Sequence, residues 1–256
     1  MSLARLVWAG WWMNVRQMAR SSLFVFTSVI EPLIMASIAF YTVKAGGHTT
    51  ALFYMAIGAG IMGMWSTTLF ASGGVIAWQR WEGTLELLVA SPPSLLPIVA
   101  PQTLATASIG LYSLTATLVF GRVLFHIPMH LAHPALFAVG LPVAILAMGM
   151  LGLVIGASFV LYREANALSN MLEFPIALVT GLLFSTSVLP DWTKPIGWIL
   201  APTWAVRVVR ESALGGRPLL PLVMCLVLSA AYLVLAAWLL KVVEVAARQK
   251  ATLSLA

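Results

Sequence analysis

Six stretches of about twenty residues, each almost free of charge, set the limits on what this chain can fold into. A helix of about 20 apolar residues crosses the roughly 30 Å hydrocarbon core of a bilayer, so each stretch reads as a span. Leu23 to Val43 form the first, interrupted by Glu31 and Pro32, and Leu52 to Ile76 the second. The run from Leu87 to Gly121 carries no charge and holds the third over Ile98 to Phe120, because Pro92, Pro93 and Pro97 disfavour helix before it. Leu136 to Leu161, Leu172 to Leu189 and Leu219 to Leu240 complete the set.

Composition supports this reading. Of 256 residues 61% are hydrophobic and only 9% are charged, against about a quarter charged in soluble domains. An ordinary globular enzyme, a disordered chain and a nucleic-acid binder are excluded. The single cysteine, Cys225, permits no intrachain disulfide and no CxxC metal site. The expected fold is all-α: one polytopic transmembrane domain over 1–256, with six transmembrane helices preceded by an amphipathic interfacial helix.

Lysine and arginine near span ends resist translocation. With both termini cytoplasmic, eight basic residues lie inside: Arg5, Arg16, Arg20, Arg80, Arg163, Lys241, Arg248 and Lys250. Lys44, Arg122, Lys194, Arg207, Arg210 and Arg217 make six outside, so termini in the cytoplasm of an inner membrane are expected. Residues 1–21 do not form a signal peptide, because their apolar run is short and no small-residue cleavage site follows it. On a helix Arg5, Arg16 and Arg20 fall within about 60°, with Trp8, Trp11 and Trp12 beside them. Indoles favour the headgroup region, so this helix is expected on the inner leaflet in contact with membrane lipid.

The cytoplasmic segment 77–95 is the most informative. Thr84 to Ala90 can form two helical turns that place Leu85, Leu88 and Val89 on one face, and Pro92 and Pro93 stop the helix. Such a face must be covered. Either the segment lies flat on lipid or it docks a soluble partner.

Glu82-Gly83-Thr84-Leu85-Glu86, followed by Leu88 and by Ser91-Pro92, resembles the coupling helix of type-2 ATP-binding-cassette (ABC) exporter permeases. Glu173-Phe174-Pro175, the apolar run to Leu189, and the Pro190 to Arg210 region are similar to that family's fifth span and outer return loop, here 190–217. Trp81 departs from the pattern, which has a charged or polar residue there. The resemblance implies a permease that exports an amphiphile (drug, lipid or glycan), works as a homodimer, and is driven by a cytoplasmic ABC ATPase subunit carrying the ATP and Mg. It assigns Glu82, Gly83, Thr84, Leu85, Glu86, Leu88 and Val89 to that partner. No Gly-Lys pair occurs, so this chain has no phosphate-gripping loop, binds no cofactor of its own and is not expected to be an enzyme. Ser72-Gly73-Gly74 reads as a close helix-packing site.

Charge inside a membrane is costly and points to function. Glu31 lies about 12 Å along the first span, where it can contact a cationic substrate, couple protons or satisfy backbone freed by Pro32. Glu173, at the start of the fifth span, is expected near the inner interface. Phe174 and Phe184 are candidates with Glu31 for the substrate pathway, while Met64, Trp65 and Phe70 face lipid, neighbouring helices or the pathway. In the return loop, short helices with Trp192, Trp198 and Trp204 at headgroup level are expected, with Arg207 paired to Glu211 and Arg210 on lipid phosphate. His126, His130 and His133 lack a supporting carboxylate and are not read as a metal site. Two further functions compete with the exporter: a proton-coupled secondary carrier using Glu31 and Glu173, and a membrane scaffold that transports nothing.

Overall fold

The computed structural model describes residues 3–45, 51–81, 95–159, 165–182 and 189–250, and these are helical without a strand among them. Helix α1 (Leu3–Arg20) leads into α2 (Ser22–Ala45) and α3 (Leu52–Trp81). Next come α4 (Leu96–Ile109), α5 (Leu111–Phe125), α6 (Pro134–Phe159) and α7 (Ala165–Val179). A 3-10 turn at Asp191–Thr193 precedes α8 (Lys194–Ile199), α9 (Ala201–Leu214) and α10 (Leu219–Lys250).

Among the described residues four helical runs are long and apolar enough to cross a membrane: Leu52–Ser72, Leu96–Phe125, Pro134–Phe159 and Leu219–Val245. The expected third span is therefore two helices, α4 and α5, stepping at Gly110. The expected fifth is displaced: α7 begins at Ala165 rather than Leu172 and ends at Val179, where Gly181 turns the chain with a left-handed φ of 76°.

Helix α3 occupies the centre, packed against α2, α4, α5, α6, α7 and α9. Without a hydrophobic force between helices in lipid, small residues that let backbones approach do the packing. A Cβ at Gly63 would collide with the Pro32 ring and lie 2.6 Å from Ser113 Cβ, so α2, α3 and α5 meet there only around glycine. Pro32 has no N–H to donate to the carbonyl one turn back, that of Ser28. Ser113 Oγ on α5 donates to that carbonyl at 2.5 Å. The group freed by proline is satisfied by a neighbouring helix and not by Glu31. Ser72 packs against Gly152 and Gly156 of α6, a small-residue contact of the kind its sequence suggests.

Helix α1 leans on α4. Its half-buried side carries Val7, Gly10, Trp11, Asn14 and Met18, and the Trp11 indole donates to Ser108 Oγ at 3.0 Å. Arg5, Trp8, Trp12, Arg16 and Arg20 are exposed on its other side.

Candidate functional site

Two polar constellations sit inside the bundle. The first joins α2, α3 and α7. Glu173 is only 4% exposed, and Ser66 Oγ donates to its Oε1. Trp65 Nε1 donates to the Glu173 backbone carbonyl at 3.2 Å. The half-buried Glu31 on α2 brings its carboxyl within hydrogen-bonding reach of both Glu173 and Ser66. Two carboxyl groups hydrogen-bond each other when one carries a proton and repel when both are ionised. The site can therefore hold a proton or a positive group between two helices, and its geometry depends on which is present.

Glu173 is thus buried between helices rather than on the protein surface. Because α7 starts earlier than the apolar run indicates, this residue falls mid-helix and faces Trp65 and Ser66. Phe174 follows it in sequence but is exposed. Met171, Phe174 and Leu178 form one outward stripe of α7, and Phe26, Ile30, Ile34 and Ile38 form another on α2, at the spacing of a single helix face. Phe184 and the segment Glu82, Gly83, Thr84, Leu85, Glu86, Leu88 and Val89 lie outside the described residues. Met64 and Trp65 are fully buried core residues, which assigns them to packing.

The second constellation centres on Arg210 of α9, which is 6% exposed and does not reach lipid phosphate. Its Nη1 donates to the Gly181 carbonyl at 2.7 Å and to Tyr54 Oη at 2.9 Å. Nη2 donates to the Leu182 carbonyl at 2.8 Å and Nε to the Tyr54 carbonyl at 3.3 Å, with the guanidinium 3.6 Å from the centre of the Tyr54 ring. One cation thereby satisfies the carbonyls left open where α7 ends and pins α7 and α3 to α9. Burial pulls its pKa down to about 10, so it stays charged at neutral pH. Gly58 makes room: a Cβ there would collide with the guanidinium and the Leu182 carbonyl.

The return region divides into a mostly exposed part, the 3-10 turn and α8, and a packed part, α9. Helix α9 is buried along most of its length against α3, α6 and α10. Trp204 is a core residue whose indole donates to the Trp198 carbonyl at 2.9 Å, while Trp192 and Trp198 are exposed. Arg207 sits over the Trp204 ring at 5.2 Å instead of forming a close ion pair with Glu211. Its charge still opposes the desolvation that raises the Glu211 carboxyl above its ordinary value. His126 ends α5 in a left-handed conformation with φ of 51°, and His130 and His133 are exposed on the loop beyond it.

Sequence reasoning missed Ser66, Tyr54 and the true place of Arg210. The clue to the first was the Ser66-Thr67-Thr68 run inside an otherwise apolar span. Thr67 and Thr68 bond the carbonyls of Gly63 and Met64 on their own helix, which leaves Ser66 to reach across.

A search of the curated proteins finds no match to the chain. Residues 5–214 match the family model of the ABC-2 type transporter. With its apolar helices long enough to cross a bilayer and this match over most of its length, the chain is a multi-pass membrane transport component that belongs to the ABC-2 type transporter family.

Proposed function

We propose that the chain is the membrane-spanning subunit of an ATP-driven exporter, moving an amphiphilic drug, lipid or glycan out of the cell. A separate cytoplasmic ABC ATPase, holding ATP and Mg, supplies the drive. The observation that carries this reading is the Glu82-Gly83-Thr84-Leu85-Glu86 segment, placed between α3 and α4 of an ABC-2 type transporter chain. ATP binding draws two ATPase subunits together, and the segment passes that movement into α3 and α4. Leu85, Leu88 and Val89 supply the buried contact, with Glu82 and Glu86 facing basic groups of the partner.

The remainder of the reading completes this machine. Six spans, with α2 as the first and α7 within the fifth, place both termini in the cytoplasm of the inner membrane, and α1 lies on the inner leaflet. The outward apolar stripes of α2 and α7 serve a homodimer whose shared pathway is lined by Glu31, Phe174 and Phe184. Reconstitution in liposomes with the ATPase tests it. ATP should drive transport, and Leu85→Asp or Leu88→Asp should abolish ATPase binding while leaving the chain folded. Transport that ignores both substitutions overturns the proposal.

A second reading, a proton-coupled carrier, draws on the contact between Glu31 and Glu173. It requires transport to follow an imposed pH gradient without ATP and to vanish with Glu31→Gln. A scaffold moves nothing in either assay.

A further inference from the structure

The outward side of α5 and α6 holds a hollow of about 320 Å³, whose walls are apolar apart from Thr115 and Arg122. Leu114, Leu118, Val119, Phe137 and Leu141 line its length and Arg122 closes it. From Leu111 to Arg122 the α5 backbone rises about 16 Å. That is close to the roughly 15 Å depth of one leaflet's hydrocarbon.

The charge at the closed end is one-sided. Arg122 donates Nη1 to the Ile127 carbonyl at 3.1 Å, and among the described residues no carboxylate lies within ion-pair distance of it. His126 and His130 are exposed beyond it on the α5–α6 loop. From Leu87 to Arg163 the sequence contains no Asp or Glu. Arg122 is exposed, its guanidinium carries spare donors, and it lies three residues before the end of α5.

We propose that this groove is a binding site for one anionic phospholipid, its phosphate on Arg122 and one acyl chain along the α5–α6 hollow. An apolar trough one leaflet deep, ending in a cation without a counter-charge, matches the two ends of such a molecule. A second copy of the chain would have to bring a carboxylate to Arg122 as well as an apolar ridge. The site shares Leu114 with the packing of α5 on Gly60 of α3, and is independent of the coupling and export readings. Leu111 also borders a second, separate hollow of about 700 Å³ lined by Trp8 and Trp11 of α1.

The test is native mass spectrometry of the full-length chain in detergent with equal amounts of phosphatidylglycerol and phosphatidylcholine of matched acyl chains. The intact chain should retain phosphatidylglycerol in preference. Arg122→Gln should lower that retention about fivefold, the factor given by about 1 kcal/mol per basic residue near an anionic surface, and leave phosphatidylcholine unchanged. Arg122→Lys should restore it, and Leu118→Trp, which fills the hollow, should lower retention of both lipids. Equal retention of the two lipids by the native chain overturns the proposal. So does undiminished retention in Arg122→Gln or Leu118→Trp, a loss that Arg122→Lys fails to rescue, or a Val119→Cys disulfide between two copies in native membranes.

Discussion

Arg210 and the Glu31–Glu173 pair are both charged chemistry inside an apolar bundle, yet they are built on opposite plans. Arg210 is a cation with all its work done: backbone carbonyls, a phenol and an aromatic ring surround it, and no proton needs to move. The two acids lie within reach of each other and of one serine where three helices meet, and among the described residues no cation forms an ion pair with either. A polar cluster satisfied from within fixes helices, whereas one that lacks a partner of its own responds to what enters the membrane.

The largest effect separating the two should come from Arg210→Met. It strands the buried Gly181 and Leu182 carbonyls, at about 1–3 kcal/mol for each, and also removes the partner of the half-buried Tyr54 Oη. A loss of about 3 kcal/mol or more is expected in denaturant unfolding of the purified chain. Arg210→Lys should recover only part of it, because a single ammonium cannot reach donors spread over a planar fork. If Arg210→Met unfolds within about 1 kcal/mol of the native chain, the guanidinium is not a fixed tie and the contrast with the carboxylates fails.

The carboxylate side predicts a smaller change that depends on chemistry rather than charge. Glu31→Gln keeps a donor for Glu173 without any need of a proton, so stability should change by less than about 1 kcal/mol. Glu31→Leu leaves Glu173 with Ser66 as its side-chain partner and should cost about 1–3 kcal/mol. Equal unfolding midpoints for Gln and Leu would make the contact between the two acids energetically idle. Arg210, by contrast, has no neutral substitute that preserves its bonds.

The contrast also marks what the sequence made legible. The apolar runs show the helices well because about twenty such residues have few other folds available, and α6 begins at Pro134, two residues from its expected start at Leu136. In sequence Arg210, a cation between tryptophans and prolines, has the pattern of an interfacial anchor; only tertiary packing reveals the carbonyls opened by Gly181 beside it. Glu31 was legible as an intramembrane acid, but its partner was not. Glu173 is far away in sequence, and α7 extends into polar residues before the apolar run begins. Pro32 announced an unpaired carbonyl one turn back, yet nothing local to α2 identified Ser113 as its donor.

The smallest effect belongs to the surface, at the turn that opens the return region. Lys194 donates to Asp191 Oδ1, and that hydrogen bond, with the Lys194 charge, holds the Asp191 carboxyl below its ordinary value. A depressed carboxylate stabilises the fold above its ordinary pKa, and the benefit is lost as pH falls through the lowered folded value. Asp191 is fully solvated, so water and salt screen the pair, and one end of a long lysine must be immobilised to keep it. Asp191→Asn should therefore leave the thermal midpoint unchanged at neutral pH, and both proteins should show the same salt dependence. A clear drop in that midpoint, removed at high ionic strength, would mean that the exposed turn anchors α8 electrostatically, and surface charge would then rank with Arg210 in fixing the return region.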